Sequence, residues 1–443
     1  MVRQWVRQWA GFTVAVVLTG FSPAQAAEAT VPQATQAERA MQRQALAKFL
    51  TPANYDLALH PATDQTHWRQ VLWSMTLLQP TDIPAQQVLT QLLDLALTPN
   101  PGADLQPTLV QALKTGAALY THPVQPNTRD SYRFVRDKLQ ALLAVSRNPG
   151  LVSLALATLA RDPDAPDLSP WLPGLKTRLP LWFLDTGLRT TIEDLELPAA
   201  PLPPLVDLLR QQVTSLPSLY LLCRRDRSIP CLALLKDGQG HFYRSGEGVW
   251  HINLLARSIY PLAWNFNSGE TPQGLLRLEG TILRTPQEFR AFGQFPSVKV
   301  FLPNEPGAMQ FLPGVAATTP IDLGIYRSLW PLSWQNYRPV EQSFWAGKLG
   351  RSLIRIHGSG ENPELFYPQP IDLPNPTIGC IGALEHYSPD GQLQQADLPR
   401  LLNAWNELQP GGMTGYLWLI EVPDPQGTNQ PVNIQEIEPV LPT

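Results

Sequence analysis

The chain has 443 residues, a formal net charge of −4, 44% hydrophobic and 16% charged residues, and 46 prolines. That hydrophobic content can fill a core, which excludes a disordered chain, and the prolines imply many rigid loops. The length favours two domains, and the absence of a basic stripe with interleaved aromatics excludes nucleic acid as a partner.

Residues 1–26 read as a secretory signal peptide. Arg3 and Arg7 give a short basic segment, Phe12–Phe21 is apolar, and Ala24-Gln25-Ala26 is a small–x–small cleavage site. The apolar run is short for a bilayer span of about 20 residues. Cleavage near Ala26 and release into the periplasm or beyond are expected, without stable membrane insertion, in a compartment where disulfides survive.

Residues 27–162 read as a helical module. Six segments between Ala37 and Arg161 place apolar residues at spacings of three and four. Breakers such as Asn100-Pro101-Gly102 and Asn148-Pro149-Gly150 separate them. A bundle or short helical stack follows, read as a binding or spacing module and a place for a protein partner. Asp162, Asp164 and Asp167 lie among prolines and read as a solvated turn. Residues 163–217 are proline-rich and read as a connector that still holds helix-like pieces at 191–195 and 205–213.

From Ser218 the pattern changes to short β-branched and aromatic runs divided by glycine turns. Strands are expected in YLLCRR, CLALLKD, HFYR, VWHINLL, LLRLEGTIL, VKVFL, SLIRIHG and TGYLWLIEV, with one helix at Leu398–Trp405. The fold class is therefore α+β, an N-terminal all-α bundle or stack followed by a mostly β domain at 218–425. Residues 426–443 read as a polar tail. Tyr326, Trp330 and Trp334, at a spacing of four, read as packing aromatics.

The three cysteines are Cys223, Cys231 and Cys380. Cys223 and Cys231 flank a short polar turn between two apolar runs, where a disulfide would staple a hairpin. Pairing of either with Cys380 would instead consume the remaining thiol. Left free, Cys380 is a candidate nucleophile, and His357, at the end of an expected strand, is a candidate base. Gly379 and Gly382 allow a sharp turn and the close approach of a substrate carbonyl. His241, His251 and His386 show no ligand spacing, so no metal is expected, and no cofactor. Glu385 and His386 read as an exposed loop pair.

His357-Gly358 and Thr377-Ile378-Gly379-Cys380 resemble the active-site signature of the YkuD-type L,D-transpeptidases. That pattern is His-Gly, a loop, then Ser or Thr, any residue, Gly and Cys. Thr271-Pro272-x-Gly274 resembles the turn that precedes the family's catalytic strands, and the resemblance covers about residues 218–410. It implies a YkuD-like domain acting on peptidoglycan stem peptides, with Cys380 as nucleophile and His357 as base. It further implies that the Ile378 carbonyl orients the imidazole and that N–H groups at Gly379 and Cys380 hold the oxyanion. Gly358, Ser359, Thr377 and Gly382 would line the substrate side. The chain departs from the pattern at Gly382, where the family carries arginine, and in longer intervals on either side of His357. An endopeptidase or amidase on the same polymer, or an inactive wall-binding scaffold, are the alternative readings.

Overall fold

The computed structural model describes residues 30–442 apart from 99, 123, 126, 163, 165–166, 198–199, 247, 309–310, 313, 317–318, 368–372 and 425–426. The expected signal peptide lies outside the described residues.

The N-terminal region is helical: α1 Gln36–Ala47, α2 Gln65–Leu78, α3 Ile83–Ala96, α4 Gln106–Thr121, α5 Phe134–Val145 and α6 Pro149–Leu159. Side-chain caps start several of them, for example Asp64 accepting from the His67 amide and Asp82 from that of Ala85, which satisfies otherwise orphaned N–H groups. Trp68, Val71, Leu92, Leu109, Leu142 and Leu156 share one core.

The helical region does not stop at 162. Helices α7 Trp171–Arg178 and α8 Thr186–Glu196 add Leu172, Leu175, Leu188 and Ile192 to the same core. The helix α9 Leu205–Arg210 packs instead against the β region. The expected connector is therefore mostly structure, because its leucines outweigh its prolines. Asp162 is also not solvated. It is 3% exposed, accepts from Tyr120 Oη at 2.7 Å and is paired with Arg129 and Arg136.

The second region is built on a closed eight-stranded barrel. In chain order its strands are β1 Ser218–Cys223, β2 Cys231–Lys236, β3 His251–Leu255, β4 Gly274–Ile282, β5 Ser297–Phe301, β6 Ile354–His357 and β7 Ile381–Ala383. A small hairpin follows, β8 Glu385–Tyr387 with β9 Leu393–Ala396, and β10 Thr414–Glu421 completes the barrel. Around it the order is β1-β10-β4-β5-β6-β7-β3-β2, parallel at β1/β10 and β6/β7 and antiparallel elsewhere. Leu219, Leu221, Leu276, Val300, Ile356, Ile381 and Leu417 fill the interior. The outer faces of β1, β2 and β10 are covered too, by Leu208, Leu209, Tyr326, Trp330 and Trp334. Burial on both faces explains why these strands read as unbroken apolar runs. It also assigns the aromatic-rich interval before His357 to the barrel's outer packing.

Cys223 and Cys231 are joined by a disulfide, with Cα atoms 4.2 Å apart. The chain end also packs on the barrel: Val432 and Ile437 are buried, and Arg224 binds Glu436 at 2.7 Å. The expected tail is thus ordered over much of its length. Residues 258–270 dock the barrel on the helices. Tyr260 and Leu262 enter the helical core, Arg161 makes a two-pronged pair with Glu270 at 2.8 and 2.7 Å, and Trp264 Nε1 donates to Asp194 at 2.7 Å.

Candidate active site

His357 is the last residue of β6, and Cys380 immediately precedes β7. The two strands run parallel, with Ile356 beside Ile381 and His357 beside Gly382. Ile356 and Ile381 point into the barrel, so alternation puts His357, Cys380 and Gly382 on the outer wall. Cys380 is two residues before the partner of His357. Strand spacing and rise then set their Cα atoms roughly 8 Å apart. The barrel closure therefore brings both motif halves to one patch.

The turn before Cys380 is held from several directions. The Thr377 amide donates to Arg257 O at 3.1 Å and the Ile259 amide to Thr377 O at 2.7 Å. Thr377 Oγ1 accepts from the Gly379 amide at 3.2 Å and donates to Cys380 O at 2.8 Å. Thr271 Oγ1 reaches the same carbonyl at 3.2 Å and that of Gly379 at 3.3 Å. The threonine of the TPxG motif thus fixes the cysteine turn, two regions of sequence meeting in one contact. Behind them Arg351 is buried. It donates to the carbonyls of Gly379 at 3.2 Å, Gly269 at 2.8 Å, Glu270 at 2.6 Å and Trp264. Gly379 has φ +100°, and a Cβ there would stand 2.6 Å from Arg351 Nη2, so only glycine fits. Because its amide is engaged by Thr377, the Gly379 N–H does not point free as an oxyanion donor.

Gly382 is required by packing, since a Cβ would lie 2.7 Å from Asn375 O. An arginine at this position has no room. Ile378 is 51% exposed and Leu353, just before β6, is 67% exposed. Ile378 lies two residues before Cys380, and the Leu353 carbonyl faces its thiol. Ser359 Oγ accepts from the Glu361 amide at 3.2 Å and contacts Asn375 Nδ2 at 3.4 Å, tying the two loops together. A cleft of about 310 Å³ opens beside Gly360, between Glu38 and Gln42 of α1 and the Phe289–Arg290 backbone.

The imidazole of His357 is buried, 4% exposed, and Nδ1 donates to Gly358 O at 2.5 Å, which leaves Nε2 as the free base. The orienting carbonyl is that of Gly358, where the resemblance implied Ile378. Phe292 meets the ring edge-on, with centroids 5.0 Å apart. Burial, with Arg284 and Arg355 nearby, lowers the imidazole to about 4. The Cys380 thiol is pushed up by burial, while the Arg355 amide and the Arg355 and Arg351 charges pull it back in part. Sγ points toward Leu353 O at 3.7 Å, and no hydrogen bond joins it to His357. At neutral pH the resting pair is a thiol and a neutral imidazole.

Three residues of this patch carry no readable pattern in the sequence. Arg351 and Phe292 stand in unremarkable contexts. Glu385, expected in an exposed loop, is 7% exposed in β8. It is buried because it accepts from the Gln294 amide at 3.0 Å and packs under Gly358. Among the described residues no group of three or more His, Cys, Asp or Glu could hold a metal ion. No family model, curated protein or solved structure matches the chain.

Proposed function

We propose that the chain is an exported cysteine acyltransferase that works on peptidoglycan stem peptides in the manner of an L,D-transpeptidase. The observation that carries this reading is the placement of His357, at the end of β6, and Cys380, just before the adjacent parallel β7, on one wall of the barrel, with the cysteine turn pinned by Thr271. Those three residues belong to separate parts of the sequence signature, and the barrel joins them. The disulfide between Cys223 and Cys231 supports an oxidising compartment.

In the proposed reaction a peptide carbonyl settles beside Cys380, between Ile378 and Leu353. The thiol turns from the Leu353 carbonyl toward His357 and passes its proton to Nε2 as sulfur attacks the carbonyl carbon. The tetrahedral oxyanion is held by backbone N–H groups around Cys380. Collapse breaks the C–N bond, the imidazolium returns its proton to the departing amine, and a thioester remains on Cys380. A second amine then attacks the thioester to form a cross-link, with His357 again carrying the proton. Water in place of that amine gives hydrolysis.

The test is mass spectrometry of intact protein and muropeptides after the mature chain is incubated with tetrapeptide-containing sacculus fragments, with Cys380→Ala alongside. A thioester adduct with dimeric products, both absent from the variant, is the expected outcome. Shortened monomers alone would replace cross-linking by hydrolysis. Unchanged muropeptides and unmodified Cys380 would refute acyl transfer.

A further inference from the structure

The glycine after His357 has a physical cause that lies two strands away. A Cβ at Gly358 would stand 2.3 Å from the carboxyl carbon of Glu385, and a Cβ at Gly293 would stand 1.9 Å from Oε2 of the same group. The carboxyl is thus gripped between two bare backbones. The Gln294 amide donates to both of its oxygens, at 3.0 and 3.2 Å.

Each of these backbones carries one of the two groups that hold the imidazole. Gly293 ends the helical turn Phe289–Phe292, whose Phe292 ring lies edge-on to His357 at 5.0 Å. Gly358 supplies the carbonyl on Nδ1 at 2.5 Å. The ring's orientation and its tautomer therefore both depend on backbone that rests against one side chain. We propose that Glu385 is a positioning residue for His357, a wedge between the Gly293 and Gly358 loops that fixes the plane and tautomer of the imidazole. This rests on His357 acting as the base, but its test requires no substrate.

The surroundings fit a wedge that is a neutral acid. Around it lie Tyr387 on the same strand, with Arg39 farther out near Tyr387; beyond the two glycine loops come His357 and the Phe292 ring, over which Arg284 stacks at 4.7 Å. Across the hairpin its partner is the uncharged Ala396. Among the described residues no cation binds the carboxyl, and burial pushes it up to about 8, against which the Gln294 and Phe295 amides work only in part. It is protonated at neutral pH, since an uncharged acid tolerates a burial that an unpaired carboxylate would not.

The experiment is ¹⁵N NMR of the histidine rings in chains carrying Cys380→Ala, with the His357 signal assigned through His357→Gln. With Glu385 in place, a single Nδ1–H tautomer that titrates far below ordinary histidine is expected. Glu385→Ala should mix the tautomers and raise the ring's titration by about one unit or more toward the ordinary value near 6.5. Glu385→Gln, which keeps the size and an acceptor for Gln294, should preserve the wild-type tautomer. Should Glu385→Ala fail to fold, Glu385→Asp withdraws the wedge by one methylene and is expected to act in the same direction. A folded Glu385→Ala or Glu385→Asp chain with an unchanged tautomer and titration would overturn the proposal. Catalytic inactivity of the parent chain, by contrast, would sink only the acyl-transfer reading.

Discussion

Replacing Arg351 by methionine removes the anchor of the cysteine turn and should show in stability and in thiol chemistry at once. The guanidinium is 2% exposed and donates to four carbonyls, those of Trp264, Gly269, Glu270 and Gly379. Burial draws it down to about 10, so it stays charged at neutral pH. Hydrogen bonds to a charged group are worth about 1.5–3 kcal/mol each, and a stranded buried carbonyl costs about 1–3 kcal/mol. Four such losses do not add in full, because methionine recovers the cost of burying a cation and the loop relaxes. With the equivalent of two carbonyls left stranded at about 1–3 kcal/mol each, a loss of about 4 kcal/mol is expected.

The assay is urea unfolding of the mature chain, with Cys380 alkylation by iodoacetamide followed against pH in the same samples. Besides losing stability, Arg351→Met should shift the alkylation profile to higher pH, since the Arg351 charge favours the thiolate. Arg351→Lys separates the two effects. It keeps a charge near the thiol but lacks the planar fork that spans several carbonyls, so it should recover the alkylation profile better than the stability. A loss below about 1 kcal/mol in Arg351→Met, with a two-state transition retained, would mean that water replaces these bonds and that the turn is held by the threonines alone.

Four other outcomes follow from the same geometry. Gly382→Arg, which restores the residue type of the resembling family, should destabilise by about 1–3 kcal/mol through collision with the Asn375 carbonyl and should lower activity; a gain of activity would show that the turn can open. Cys380 is half-exposed, yet it should alkylate at pH 7.5 more slowly than an unfolded-chain thiol, because desolvation pushes its thiol up; an equal or faster rate would contradict that upward shift. For His357, lowered by burial to about 4, the unfolded chain binds the proton first. Stability should therefore fall as pH drops from 6.5 toward 4, by on the order of 3 kcal/mol, and His357→Gln should flatten that part of the profile. Cys223→Ala with Cys231→Ala should cost about 2.5 kcal/mol by the loop-closure relation for so short a loop, read from urea midpoints with and without reductant on the parent chain.

Periodicity carried much of the architecture. Strands such as LYLLC and GYLWLIE and helices such as the one at Gln65–Leu78 announce themselves, since burial on both faces or on one stripe leaves a repeating apolar mark. The strand that follows Cys380 left no such mark. Ile381–Ala383 is three residues long, two of them glycine and alanine, and exists because β3 and β6 flank it. The connector misled in part for the opposite reason: the helix-like pieces at 191–195 and 205–213 fall on α8 and α9, but its prolines masked the leucines that bury α7. At the site, His357, Cys380 and Thr271 were legible as motif residues. Arg351 and Glu385 were not, because what they do depends on carbonyls and glycine backbones dozens of residues away, and a single charged residue carries no period.

The electrostatics of the patch bear on the order of events in the proposed reaction. Burial works against the charged form of both partners, raising the thiol and lowering the imidazole. The fixed cations, however, do not treat the two alike. Arg351 and Arg355 favour a thiolate at Cys380, while Arg284 and Arg355 oppose a proton on His357. A standing thiolate–imidazolium pair would then keep its sulfur stabilised and its imidazolium strained. Proton transfer is best made together with attack, when negative charge moves from sulfur to the oxyanion, and the strained imidazolium becomes a strong acid toward the leaving amine. In that proposed reaction the field that makes His357 a reluctant resting base would make it an effective proton donor in the next step, and Nδ1, tied to Gly358, would leave Nε2 to carry the proton both ways.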